Sequence, residues 1–165
     1  MLKTARCLGF AAVILASALL FGSRPASAQA KDPLNGTWVL NFGKSDFKLL
    51  NPPTSKTLTF AAGENGFTEK SWVLYANGGN GTFINRVEFT AKYDGSEASM
   101  PPESPLNSIT VRKIDANTIE QTGIIRKKAV ETFACKLSSD GKTLTVTTVG
   151  KDDPANDSVQ VYDKQ

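Results

Sequence analysis

Residues 82–95 read TFINRVEFTAKYDG. Every second residue from Val87 to Tyr93 is apolar and the residues between them are polar, which is the pattern of a β-strand with one buried face. The stretch ends at Asp94-Gly95, a pair that tolerates positive φ and so favours a tight turn. The sequence therefore predicts a long, half-buried strand followed by a reversal of the chain.

The same alternation recurs along the chain in short segments that turn-forming residues separate. The other predicted strands are 36–42, 56–60, 67–75, 106–114, 118–125, 130–137, 142–149 and 158–164. Residues 96–105 include three prolines and predict a loop. The one position that suits a helical turn is 44–50, where Ser45 or Asp46 would cap it.

Consecutive strands joined by short turns are expected to lie side by side and antiparallel. A single sheet of this many strands curls, and pairing its first strand with its last removes both exposed edges. We therefore predict an all-β fold, an up-and-down antiparallel β-barrel of about 8–9 strands. A two-sheet sandwich is the alternative that the pattern leaves open.

The first residues have the features of a secretory signal peptide. Lys3 and Arg6 precede an uncharged, apolar run over 8–22, and Ala26-Ser27-Ala28 has the small-x-small pattern of a cleavage site. A helix over this run would be about 22 Å long, which is too short for a hydrocarbon core of about 30 Å. A cleaved export signal is therefore favoured over a transmembrane anchor.

Cleavage after Ala28, with Ala30 as the next choice, divides the chain into a signal peptide (1–28) and one barrel domain (29–165). The predicted location is periplasmic or secreted, without a membrane anchor after cleavage. The chain has 19 basic and 16 acidic residues, and the excess is accounted for by Lys3, Arg6 and Arg24 of the signal peptide. The remaining domain is close to neutral, so we expect no nucleic-acid partner.

The sequence contains no histidine. This excludes Ser-His-Asp and Cys-His nucleophile systems and histidine-ligated metals. Only Cys135 remains after cleavage, so the domain has no disulfide and no thiolate zinc site. Alternation places Cys135 with Phe133 and Leu137, which predicts a buried, inert thiol. We expect no cofactor and no metal.

Carboxylate, Lys and Tyr side chains are the remaining acid–base groups. Glu88, Glu120 and Glu131 lie on predicted strands, and we expect all three side chains to face solvent, which leaves no catalytic residue. Residues 152–157 contain four oxygen-bearing side chains that would suit a hard cation, but polar hairpin tips have the same composition. The basic run 126–128 is likewise interpreted as a turn.

Both ends of the domain carry a family resemblance. Gly36-Thr37-Trp38 resembles the Gly-x-Trp signature of the calycins, the lipocalins and fatty-acid-binding proteins, in which the Trp closes one end of the barrel. Residues 161–164 (VYDK) resemble the closing Val-Tyr-Glu-Lys of the fatty-acid-binding group. The chain is also similar to small exported lipocalin-like bacterial proteins to which no activity is assigned. The shared segments are 44–47, 89–95, 114–118 and 139–143.

Three positions depart from these families. Fatty-acid-binding proteins hold the ligand carboxylate with an Arg two residues before the closing Tyr, where this chain has Gln160, and an amide cannot form that ion pair. Their helical lid has no room between the first two strands. Lipocalins stack an Arg on the signature Trp, and here Arg112 or Arg126 would have to take that role.

The resemblance and the alternation together predict a binding protein. The residues expected to face the barrel interior are Trp72, Phe83, Phe89, Tyr93, Arg112, Phe133, Gln160 and Tyr162. We expect a monomer, not an enzyme, that holds a small apolar or amphipathic molecule in the barrel, although the interior could instead be filled. An exported protein-binding or inhibitor module that uses loop 96–105 is the alternative, and a histidine-free isomerase or cyclase comes third.

Overall fold

The structure, a computed structural model, describes residues 32–48, 52–76 and 82–165, with the side chains of Thr82 and Phe83 excepted. The predicted signal peptide lies outside these ranges. No helix within them is long and apolar enough to cross a membrane.

The described residues form eleven strands and two single 3-10 turns. The strands are β1 (Gly36–Leu40), β2 (Asp46–Phe47), β3 (Ser55–Ala62), β4 (Gly66–Ala76), β5 (Thr82–Lys92), β6 (Asp94–Ser99), β7 (Ser108–Lys113), β8 (Thr118–Ile125), β9 (Lys128–Leu137), β10 (Thr143–Gly150) and β11 (Ser158–Lys164). The 3-10 turns are Phe42–Lys44 and Pro154–Asn156.

One antiparallel sheet contains all the described strands, in the order β5-β4-β3-β1-β11-β10-β9-β8-β7-β6, with β2 added beside β11. The first and last strands are neighbours, and Trp38 pairs with Lys164 in their ladder. The two strands at the ends of this order, β5 and β6, lie against each other without a ladder between them. The sheet is therefore a nearly closed barrel, which confirms the predicted all-β, antiparallel architecture.

The number of strands exceeds the predicted 8–9 because two short strands lack an apolar pattern. Strand β6 runs through Asp94–Ser99, part of which was predicted to be a loop. Its residues are small or polar, and pairing with β7 holds it in place, with Ser99 opposite Ser108.

The segment after β1 is also extended where a helical turn was predicted. The helical residues are Phe42–Lys44, capped by Asn41, and β2 follows at once. The Ser45 hydroxyl donates to the Asn41 carbonyl oxygen at 2.7 Å and accepts from the Val161 amide at 2.9 Å. Ser45 thus ties this segment to β11 instead of capping a helix.

One end of the barrel is closed around Trp38, whose side chain is 0% exposed. Its indole Nε1 donates to the Leu34 carbonyl oxygen at 2.9 Å. The Lys164 ammonium lies 4.8 Å from the centre of the Trp38 ring. The cation over the signature Trp is therefore Lys164, and neither Arg112 nor Arg126 takes the role assigned to them.

Gly36 makes this arrangement possible. Its φ of +134° lies in a region that other residues rarely adopt. A Cβ atom at this position would also lie 3.1 Å from the Lys164 Cε atom. Close approach of β1 to the Lys164 side chain thus requires glycine.

Candidate functional site

The other end of the barrel contains a cavity of about 260 Å³ that is partly open to solvent. Strands β3, β4, β5 and β7–β10 form its walls, and the segment Met100–Leu106, between β6 and β7, lies across it. Trp38 does not line this cavity. Alternation along the strands brings one face of each strand to the cavity.

Most of the wall is apolar. On β3, β5 and β9 the lining residues include phenylalanine rings, and aliphatic side chains from five strands (β3, β4, β5, β7 and β10) line the space between them. The apolar lining residues on these strands are Leu58, Phe60, Val73, Val87, Phe89, Ile109, Phe133 and Val146. Such a surface favours the apolar part of a ligand.

A hydrogen-bonded group from β3 and β11 lies beside the cavity. Lys56 Nζ donates to Gln160 Oε1 at 3.0 Å, and the Tyr162 hydroxyl donates to the same oxygen at 2.7 Å. Gln160 Nε2 in turn donates to Ser158 Oγ at 3.0 Å. Both lone pairs of Gln160 Oε1 are thus used within the protein.

A second group spans the barrel interior. Gln121 on β8 donates from Nε2 to Glu69 Oε2 on β4 at 3.2 Å, although these strands are not neighbours in the sheet. The Gln121 nitrogen also lies 3.9 Å from Cys135 Sγ. Glu69, Gln121 and Lys56 all line the cavity.

Burial shifts the pKa of both charged groups toward their neutral forms. Desolvation lowers the pKa of Lys56, and the Glu69 charge partly opposes this change. Desolvation likewise raises the pKa of Glu69, against the hydrogen bond from Gln121 and the Lys56 charge. Ion pairs among the described residues do not include Lys56, so it offsets Glu69 only through space.

Glu131 is a third charged residue at the cavity, and the prediction that it faces solvent is wrong. It shares a strand face with Phe133 and Cys135, and burial raises the pKa of its carboxyl group. A Cβ atom on Gly123 would lie 3.1 Å from Glu131 Cγ and 2.9 Å from the Leu106 methyl carbons. The bare backbone of Gly123 thus makes room for both side chains.

The other two carboxylates face solvent as predicted. Glu88 is exposed and forms an ion pair with Lys70 at 3.0 Å, and Glu120 is exposed on β8.

Cys135 is buried with 3% exposure, and burial raises the pKa of its thiol far above the ordinary value. The described residues include no group of three Cys, Asp or Glu side chains that could hold a metal ion.

Four of the predicted interior residues lie at or next to the cavity. Phe89 and Phe133 line it. Gln160 and Tyr162 are buried behind Lys56, which separates them from the space itself. Tyr93 is half-buried on the Trp38 side, where its ring stacks on Phe67 at 5.7 Å. The side chain of Phe83 lies outside the described part.

Trp72 and Arg112 lie on the outer face of the barrel, not in its interior. Trp72 is 51% exposed, and the Arg86 guanidinium stacks 3.8 Å from the centre of its ring. Val73 and Val111, the neighbours of these two residues, point inward, so strict alternation turns Trp72 and Arg112 outward.

Lys56, Glu69 and Gln121 were not predicted to belong to the site. Alternation along β3 could have predicted that Lys56 points inward, because Lys56 shares a strand face with the buried residues Leu58 and Phe60. Glu69 likewise shares a face with Phe67. Charged residues on strands are usually assigned to solvent, and that assumption prevented this prediction.

No protein-family model matches this sequence, and no curated protein is significantly similar to it. The nearly closed antiparallel barrel is compatible with a calycin-like fold.

Proposed function

We propose that this chain is an exported, calycin-like binding protein that holds one small amphipathic molecule in the cavity. The observation that carries the proposal is the composition of the cavity, an apolar space into which Lys56, Glu69 and Glu131 project. Binding sites for small molecules combine a mostly apolar wall with a few polar groups that fix orientation.

The size of the cavity limits the ligand. An apolar cavity of about 150 Å³ can bind benzene, so the cavity of about 260 Å³ suits a ligand of about ten non-hydrogen atoms. A long fatty acid would not fit entirely within this space. Gln160 also replaces the usual arginine clamp, and its acceptor oxygen is already used by Lys56 and Tyr162.

Burial of charge is the second argument for a ligand. A desolvated ammonium or carboxylate destabilises a fold unless it is paired, so such groups are concentrated at functional sites. Lys56 and Glu69 are both desolvated, and neither is in an ion pair with a described residue. A ligand that contacts these groups would supply part of the missing compensation.

Export and oligomeric state belong to the same proposal. The signal peptide 1–28 directs the chain to the periplasm or the medium, where residues 29–165 act as a monomer without nucleic acid or a membrane anchor. Intact-mass analysis of fractions from cells that express the full chain would test export and signal-peptide cleavage. We expect a product that begins at residue 29, or at 31 for the alternative cleavage site, and an uncleaved cytoplasmic product would contradict export.

Isothermal titration with 2-phenylethanol, a neutral amphipathic probe of suitable size, tests binding. We expect saturable one-to-one binding to the wild-type protein and at least a ten-fold loss for Ser71→Trp, whose ring would occupy the cavity. Lys70→Trp places the same ring on the outer face of β4 and should bind normally. Equal affinity in all three proteins, or no binding of 2-phenylethanol and of its amine and carboxylate analogues to the wild type, would contradict the proposal.

An isomerase or cyclase is the second candidate, because two carboxylates and a lysine face one cavity. Groups of this kind can move protons when burial brings their pKa values toward neutrality. Deuterium exchange into the methyl group of acetophenone in D2O would detect such proton transfer by NMR. Exchange that is faster than in buffer, and that is lost in both Glu69→Gln and Glu131→Gln, would show that the protein catalyses proton transfer. Exchange at the buffer rate would exclude catalysis for this probe.

A further inference from the structure

The charges around the cavity do not balance. Three lining side chains are formally charged, one ammonium (Lys56) and two carboxylates (Glu69 and Glu131). With all three ionised, the cavity carries a net charge of −1. A cationic ligand would neutralise this charge, and an anionic ligand would double it.

The two carboxylates differ in how they are compensated. Glu69 accepts a hydrogen bond from Gln121 and is attracted by the Lys56 charge. Glu131 feels the same Lys56 charge, but among the described residues its carboxylate has neither a hydrogen bond nor an ion pair. Of the two carboxylates that line the cavity, Glu131 is therefore the one without a partner among the described residues.

An independent observation points the same way. Asn85 on β5 also lines the cavity, and its Oδ1 atom is buried without a hydrogen-bond donor among the described residues. A buried acceptor that lacks a donor is costly and rare in folded proteins. With Glu131, the cavity thus presents an excess of acceptors, and an ammonium group supplies up to three donors.

The walls suit an organic cation as well. Phe60, Phe89 and Phe133 all contribute rings to the cavity. The face of an aromatic ring attracts a cation, most strongly where water is excluded. Apolar walls therefore need not oppose a charged ligand if the charge is an amine on an aromatic or aliphatic body.

We propose that the ligand of this cavity is a small organic amine, whose ammonium group is held by Glu131 and whose N–H groups also satisfy Asn85. This inference rests on the proposed binding function and specifies its ligand class. Lys56 stays bound to Gln160 and offsets Glu69, while the ligand cation offsets Glu131.

Three matched probes test the ligand class by isothermal titration at pH 7.5. They share a phenyl group and differ in the polar end: 2-phenylethylamine, 2-phenylethanol and phenylacetate. We expect the amine to bind at least ten-fold more tightly than the alcohol, and phenylacetate to bind most weakly. In Glu131→Gln the preference for the amine should fall below three-fold, with alcohol binding retained. The matched control Glu120→Gln, on the outer face of β8, should keep the full preference.

A measurement on the wild-type protein covers the case in which Glu131→Gln fails to fold. Burial raises the pKa values of both cavity carboxylates, Glu131 and Glu69, so lowering the pH neutralises them before the exposed ones. Lys56, the cationic side chain that lines the same cavity, keeps or gains its proton as the pH falls. The amine preference should therefore decrease between pH 7.5 and pH 5, while alcohol affinity stays constant.

The outcomes separate the two proposals. Equal binding of amine and alcohol, or tightest binding of phenylacetate through Lys56, would overturn the amine inference and leave the binding function in place. An amine preference that survives in Glu131→Gln would overturn the role of Glu131. Failure of all three probes to bind would overturn the binding function itself.

Discussion

The two ends of the barrel interior differ in what occupies them. Around Trp38 the space is filled: the Trp38 side chain is 0% exposed and its indole N–H is bonded to the Leu34 carbonyl oxygen. Around Glu131 the same sheet encloses 260 Å³ of empty space with three charged side chains at its edge. Close packing at the filled end stabilises the fold. At the open end, the cavity lacks such packing and its charged side chains are desolvated, which lowers stability.

Residues of the filled end are therefore expected to stabilise the barrel, whereas charged residues of the open end can be substituted without unfolding it. Large losses are expected for side chains that fill space completely, because the cavity that they leave adds to the lost transfer free energy. Small or even favourable effects are expected where a charge is replaced by a neutral group of similar shape.

The largest expected effect is that of Trp38→Ala. Removal of a fully buried Trp costs about 3–5 kcal/mol, a large part of the stability of a domain this size. Urea unfolding should show this loss, with Trp72→Ala as the matched control. Trp72 is half exposed and stacks only on Arg86, so its removal should cost about 1 kcal/mol or less. Equal losses in the two variants would contradict the division into a filled and an open end.

Gly36→Ala should give the next largest effect. The substituted residue would have to keep a φ of +134° and displace Lys164 from its position near Trp38. Strain of this kind costs about 1–3 kcal/mol. Gly141→Ala is the control, because φ there is +68° with no atom within 4 Å of the added Cβ. Thermal unfolding should show a larger decrease in Tm for Gly36→Ala, and the reverse order would show that Lys164 moves aside at no cost.

The filled end was easier to predict from sequence than the open end. Alternation gave the strand faces, and the signature residues Gly36, Trp38 and Tyr162 lie where the family resemblance implies. The stacking cation, Lys164, was missed because only arginines were considered. Strand β6 was missed because its residues carry no apolar pattern and depend on pairing with β7.

At the open end, the inward or outward direction of side chains was predicted from the type of residue. The position of each residue in the strand alternation would have predicted the direction correctly. Trp72 was assigned inward because it is aromatic, and Glu131 outward because it is charged, although their neighbours set the opposite orientations. The hydrogen bond between Glu69 and Gln121 joins residues 52 positions apart across the barrel interior. The spacing of residues along the chain does not predict such a contact, because β4 and β8 face each other only when the sheet curls into a barrel.

The smallest expected effect concerns the pH dependence of stability, to which the buried carboxylates contribute near neutrality. The pKa values of Glu69 and Glu131 are raised in the folded protein. A carboxyl group with a raised folded pKa binds protons more tightly when folded, so its contribution to stability is lost as the pH rises through that pKa. These two carboxylates therefore favour stability at pH 5 over pH 7.5, whereas Lys56, whose pKa burial lowers, contributes in the opposite direction.

Differential scanning calorimetry of three proteins would measure this dependence. Glu131→Gln removes one of the two groups and should reduce the difference in Tm between pH 5 and pH 7.5. Glu88→Gln removes an exposed carboxylate whose ion pair with Lys70 contributes about 1 kcal/mol or less, so it should leave the difference unchanged. Exposed carboxylates with lowered pKa values, such as that of Asp163, stay ionised over this range and do not mask the effect. Equal changes in both variants would show that the Glu131 carboxylate is not desolvated, and the contrast between the two ends would then rest on packing alone.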